Sequence, residues 1–254
     1  MVLATVFRTF FRPRHWIKCG TAAPGCDCAG DSFKITRLPW AVTLSLLLLL
    51  NATISGDAFA EDRPTTPPQA IELRAKIFPH RYNTNRERLS GHHGVVWAGG
   101  GAASKALLVV EESDRAVAQR IRNLGGRPGN NLTPAAWLEV GNPASSEPDK
   151  RVLGSPVEVS VTWPGAARTY ALSEIFDAET SQTVDLRFGG FEDLINYWNS
   201  GCVVCMFSCP SGKISNRAFT LRDQARGRHD FRAREDLLPS DGSPATVTIS
   251  LRQE

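Results

Sequence analysis

Val157, Val159, Val161 and Trp163 alternate with Glu158, Ser160 and Thr162, and this constrains the fold more than any other stretch. Side chains on a strand alternate between faces, so the pattern describes a strand with one apolar face in a core and one wet face. Pro164-Gly165 supplies a turn, and Arg168 to Leu172 is placed to return as a hairpin partner. Val184 to Phe188 alternates again and stops at Gly189-Gly190. His92 to Trp97 opens a further short strand, turned by Gly99-Gly100-Gly101, and Lys105 to Glu111 reads as a well-buried one. Ala218 to Leu221 and Val247 to Leu251 read as two more. One helix stands out over Ser113 to Leu124. Ser113 caps it, Asp114 suits the positive helix start, and Val117, Ile121 and Leu124 share a face before Gly125-Gly126. Ala70 to Leu89 is mixed polar sequence of ambiguous structure. The expected fold is α+β, mostly antiparallel strands with one clear α-helix, in a single domain with long loops.

The first sixty residues are of a different kind. Lys34 and Arg37 flank an apolar run from Leu38 to Leu50, and Ala58-Phe59-Ala60 gives a small-x-small ending. That is the layout of a secretory signal cleaved after Ala60. A membrane anchor is the competing reading, but a span needs about 20 apolar residues and Asn51 and Asp57 interrupt this one. Residues 1–60 are therefore expected to be leader and signal, 61–90 a linker and N-terminal extension, and 91–254 the domain. The protein is expected to be exported, in a periplasmic compartment, with membrane contact only through an uncleaved leader. Residues 1–60 carry six Lys/Arg and three Asp/Glu, which leaves 23 of each sign, a net of zero, over 61–254. The basic character belongs to the leader, and nucleic-acid binding loses its electrostatic support.

The densest chemistry lies at Cys202, Cys205 and Cys209-Pro210, a C-x2-C-x3-C-P run. Four readings of these candidate ligands stand. The run matches the last three cysteines and the proline of the bacterial iron–sulfur pattern C-x2-C-x2-C-x3-C-P, but the first cysteine's position is Asn199. Thiolates also suit copper or zinc, with Met206, His92 or His93 as further donors. Cys202 and Cys205 could instead be a redox dithiol, although Val203-Val204 favours a strand over the helix start that activates such thiols. Finally, the cysteines could be inert or disulfide-bonded, though so short a loop gains little from closure. From Lys213 to Arg234 there are seven Lys/Arg against Asp223 and Asp230, either a solvated edge or a dock for an acidic redox partner. Gly212-Lys213 lacks the phosphate-loop frame, Gly99-Gly100-Gly101 lacks the Rossmann spacing, and no serine–histidine–acid set emerges. Trp137, Trp163 and Trp198 are read as core residues.

Several separated motifs resemble the YdjY-domain family. They are His93 to Trp97, Gly99 to Leu107, Leu124 to Asn131, Trp163-Pro164-Gly165, Arg187 to Gly190 and Gly201 to Asn216. The resemblance covers roughly residues 92–252. It implies an exported or membrane-associated bacterial domain, with a cysteine segment that in some members is described as ferredoxin-like. Together these readings predict an exported redox or metal-binding accessory or electron-transfer module, not itself turning over a substrate. Its cofactor would be an iron–sulfur cluster, copper or zinc on Cys202, Cys205 and Cys209, or none. A structural or partner-binding exported domain is the alternative.

Overall fold

The computed structural model describes residues 70–89, 91–177, 183–189, 194, 198–228 and 230–252. The leader, the signal and linker residues 61–69 lie outside these, as does most of the aromatic segment Phe191 to Trp198 together with Gly190. Among the described residues no helix is long and apolar enough to cross a membrane.

The middle of the sheet comes from the stretch left without an assignment. Strand β1, Ala70–Ile77, buries Ile71, Leu73, Ala75 and Ile77 and turns Glu72, Arg74 and Lys76 to water. It pairs antiparallel along its whole length with β9, Ser243–Leu251, and at its C-terminal end with β3, Leu108–Val110. Beyond β9 come β4, Val157–Thr162, and the two-residue β5, Tyr170–Ala171, both antiparallel. Beyond β3 the pairing changes character. β2, His93–Trp97, runs parallel to β3, β7, Cys202–Cys205, antiparallel to β2, and β8, Ile214–Asn216, parallel to β7. β6, Leu186–Phe188, closes the order β5-β4-β9-β1-β3-β2-β7-β8-β6.

The two ends of this sheet meet. Pro156, just before β4, bridges Arg187 of β6, and the Phe188 amide donates to the Ser155 carbonyl at 2.8 Å. The sheet thus curls into a half-barrel around its main core, where Ile71, Leu73, Val159, Val247 and Ile249 meet Phe176 and Phe231. Helix α1, Pro79–Leu89, follows β1, and its Asn83 exchanges two 2.9 Å hydrogen bonds with the Ala233 backbone. Helix α2, Asp114–Asn123, is capped by the Ser113 hydroxyl on the Ala116 amide and packs Val117, Ala118 and Ile121 into the core. Helices α3, Ala135–Leu138, and α4, Leu221–Ala225, are single turns.

The α+β expectation of mostly antiparallel strands with one clear helix is therefore corrected. Over the described residues the fold is a nine-stranded, curled, mixed sheet with short and minor helices. The parallel pairs join short strands that lie buried on both faces, and such strands lack the alternation that betrays a half-buried antiparallel one. The expected strand at Ala218–Leu221 is instead the entrance to α4. The Thr220 hydroxyl accepts from the Asp223 amide at 3.1 Å while the Asp223 carboxylate accepts from the Thr220 amide at 3.0 Å, a capping box that starts a helix.

Candidate functional site

On a regular strand, residues three apart project to opposite faces, which would separate Cys202 from Cys205. The register against β2 prevents this. His93 pairs with Cys205, Val95 with Val204 and Val96 with Cys202, so Gly94 is extra on one strand and Val203 on the other. As a result Val203 and Val204 both enter the main core, while Cys202 and Cys205 both enter a second cluster with Val96, Ala102, Ala106, Ala136, Phe207 and Leu221. A Cβ on Gly94 would stand 3.3 Å from the Met206 sulfur, so the bulge has little room for a side chain.

The entrance to β7 is fixed just as closely. The Gly99–Gly101 turn packs backbone against backbone on Ser200 and Gly201, and a Cβ on Gly100 would lie 2.5 Å from the Gly201 Cα. Trp97 donates to the Gly201 carbonyl and Gly101 to that of Asn199, each at 2.8 Å.

Cys209 returns to the same cluster after the turn, and all three cysteines are buried free thiols. Cys205 interacts with the thiols of both Cys202 and Cys209. Burial pushes its pKa well up, and those two neighbouring thiols push it further. Cys209 behaves in the opposite way. Its sulfur accepts from the Cys205 thiol, and despite burial it also gains the Ser211 hydroxyl, 3.2 Å away, and the Ser211 and Gly212 amides. These donors bring its pKa down to about 7. Gly212 makes that loop conformation possible, because a Cβ there would stand 2.7 Å from the Ser215 hydroxyl and 3.0 Å from the Cys205 Cβ.

His93 Nδ1 lies 3.9 Å from the Cys202 sulfur. Burial, then the neighbouring His92 and Lys105, hold its pKa well below the usual value, so the imidazole is neutral. The His92 ring lies tilted against it, with ring centroids 3.9 Å apart, and its Nδ1 lies 3.4 Å from the Gln224 amide nitrogen. Trp137 packs edge-on against Phe207 and Trp198 and is a partly buried neighbour of the cysteine cluster.

Two residues at this site escape sequence reasoning. Ser211 supplies a donor to Cys209, and Asp114 reaches across from α2 to Lys213, its Oδ2 2.6 Å from a fully buried ammonium. The helix-start role assigned to Asp114 is real but is only half of what it does. The basic run from Lys213 is not one surface. Lys213 and Arg222 are buried, and Arg222 grips Asp149 at 2.8 and 2.9 Å along with the Val140, Asn142 and Ser145 carbonyls. Arg228, Arg232 and Arg234 each lie beside a carboxylate, of Asp223, Asp177 and Asp236.

Three thiols and a neutral imidazole are chemically suited to a soft metal. Among the described residues, however, no group of three or more His, Cys, Asp or Glu is placed to hold a metal ion. The donor types thus fit a metal or cluster, and their present placement does not.

The family model described as the YdjY domain matches residues 68–250. The chain is 31% identical over 162 residues to the "Uncharacterized protein YdjY" of Escherichia coli (strain K12), covering 63% of this chain and 68% of that protein. No solved structure matches it.

Proposed function

We propose, from the premise that the chain belongs to the YdjY-domain family, that it is an exported accessory protein whose Cys205–Cys209 pair cycles between dithiol and disulfide. The supporting observation is the unequal setting of the two sulfurs: Cys209 sits among four donors and Cys205, one of them, stays protonated. This moves the working pair from the C-x2-C to the C-x3-C spacing. In the forward step the Cys209 thiolate attacks one sulfur of a small disulfide and displaces the first thiolate. The Cys205 sulfur then attacks Cys209, its proton passing to the second departing thiolate, and an internal disulfide remains. Two electrons have moved to the oxidant, which leaves as one thiolate and one thiol. The burial of all three sulfurs favours a small oxidant over a protein one. Export rests on the Leu38–Leu50 run and the Ala58-Phe59-Ala60 ending.

The test equilibrates the full chain with mixtures of oxidised and reduced glutathione, quenches by alkylation and maps the peptides. A Cys205–Cys209 disulfide should form in wild type and in Cys202→Ser, and be lost in Cys205→Ser. Free thiols at every ratio would refute the proposal. A soft-metal site is the second reading, favoured by the neutral His93 beside Cys202. Stoichiometric copper, zinc, or iron with sulfide in protein from its native compartment would put that reading first.

A further inference from the structure

We infer that the buried Lys213–Asp114 pair positions the reactive sulfur: it ties the Cys209–Gly212 loop to the start of α2 and thereby keeps the loop's donors on Cys209. The inference rests on Cys209 being the reactive thiol of the proposed pair.

Lys213 has no exposed surface. Its Nζ contacts Asp114 Oδ2 at 2.6 Å and donates to the Ser211 carbonyl at 3.0 Å. Ser211 is the residue whose hydroxyl and amide face Cys209. The loop's other end is held too, since the Ser215 hydroxyl donates to the Cys209 carbonyl at 3.2 Å. The Lys213 backbone meanwhile joins Cys202 and Gly189, donating to the carbonyl of one at 3.3 Å and accepting from the amide of the other at 3.0 Å. One residue therefore couples α2, the thiol loop, β7 and the end of β6.

Stability alone is a poor reason to keep such a pair. A buried ion pair is often no more stable than apolar side chains of the same volume, whereas breaking one half of it is strongly unfavourable. Nor is direct attraction of the thiolate by the ammonium a sufficient reason, because Asp114 offsets that charge at contact distance. What the pair does provide is a fixed orientation of Ser211. The titratable neighbour that acts on Cys209 is the Cys205 thiol on β7; Cys202 lies on the other side of Cys205, with His93 of β2 beside it.

The experiment follows the ultraviolet absorbance of the thiolate against pH in the reduced full chain, with Cys209→Ser as baseline. Two variants are compared with wild type. Lys213→Met with Asp114→Asn removes both charges together, which avoids an orphaned buried carboxylate. Asp114→Asn alone keeps the ammonium and weakens its anchor. Positioning predicts that the Cys209 midpoint rises in both, with about a fivefold loss of thiolate at about pH 7 in the double variant, the size expected when a midpoint of about 7 rises by about one pH unit. Direct attraction predicts instead that the midpoint falls in Asp114→Asn, where the ammonium is no longer neutralised, and that result would overturn the inference. So would an unmoved midpoint in either folded variant, or a wild-type midpoint at the ordinary thiol value. If the midpoints rise while no Cys205–Cys209 disulfide forms under glutathione, the redox reading fails and the positioning role stands.

Discussion

The unequal thiols should make folding stability depend on pH in a direction set by Cys209. Its folded-state pKa of about 7 lies below the ordinary 9.0, so the folded chain holds the thiolate more readily than the unfolded chain does. For a group depressed in this way, the stabilisation is fully present above the unfolded value and is lost as pH falls through the folded one. The gap between about 7 and 9.0 corresponds to on the order of 3 kcal/mol at the limit. Between about pH 6 and pH 9, roughly 2 kcal/mol of that appears, with a slope never above about 1.4 kcal/mol per pH unit. Cys205 acts with the opposite sign. Its raised pKa contributes stability that is lost as pH climbs past the ordinary thiol value, so the gain should level off and reverse under alkaline conditions. The assay is urea unfolding by tryptophan fluorescence in reducing buffer, for wild type and Cys209→Ser. Subtracting the two curves cancels the carboxylates and lysines common to both. The difference should grow in favour of wild type from about pH 6 to pH 9. A flat difference, or one that shrinks as pH rises, would refute the assignment of Cys209 as the stabilised thiolate.

Gly212→Ala should destabilise by about 1–3 kcal/mol, because its Cβ would crowd the Ser215 hydroxyl and the Cys205 Cβ, and the Cys209 absorbance midpoint should rise in the same protein. Asn83→Ala removes both side-chain hydrogen bonds to the buried Ala233 backbone, and a loss of about 2 kcal/mol in urea unfolding is expected. Arg222→Met leaves the Val140, Asn142 and Ser145 carbonyls without their donor, so hydrogen exchange should quicken between residues 139 and 149 before it does in β1.

What was legible beforehand was local. The alternation at Val157 to Trp163 sits on β4, and the Ser113 cap with Val117 and Ile121 sits on α2, because each is fixed by neighbours within a turn or a strand. β1 carried a readable period-two signal, Ile71, Leu73, Ala75 and Ile77 between charged residues, which a reading of the stretch as mixed polar sequence passes over. The density of thiols marked where three buried sulfurs gather, but not that Cys205 contacts both of the others. Whether Cys202 and Cys205 share a face depends on two bulges in their pairing with a distant strand, and no spacing rule encodes that. The burial of Lys213 was hidden for the same reason. Its partner Asp114 belongs to an element far away in sequence, so the lysine looked like one more member of a basic run.

Because Pro156 bridges Arg187, the far rims of the sheet lean on one another instead of facing outward. A rim of bare amides and carbonyls is what a stray chain latches onto when proteins are concentrated. Beyond β4, the border that remains among the described residues is β5, a rung of two residues and too brief a template to seed such growth. Cutting the seam, for instance by putting a bulky residue at Gly154, whose Cβ would press to within 1.9 Å of the Phe188 carbonyl, should therefore show up first as clumping, ahead of any opening of the cysteine cluster.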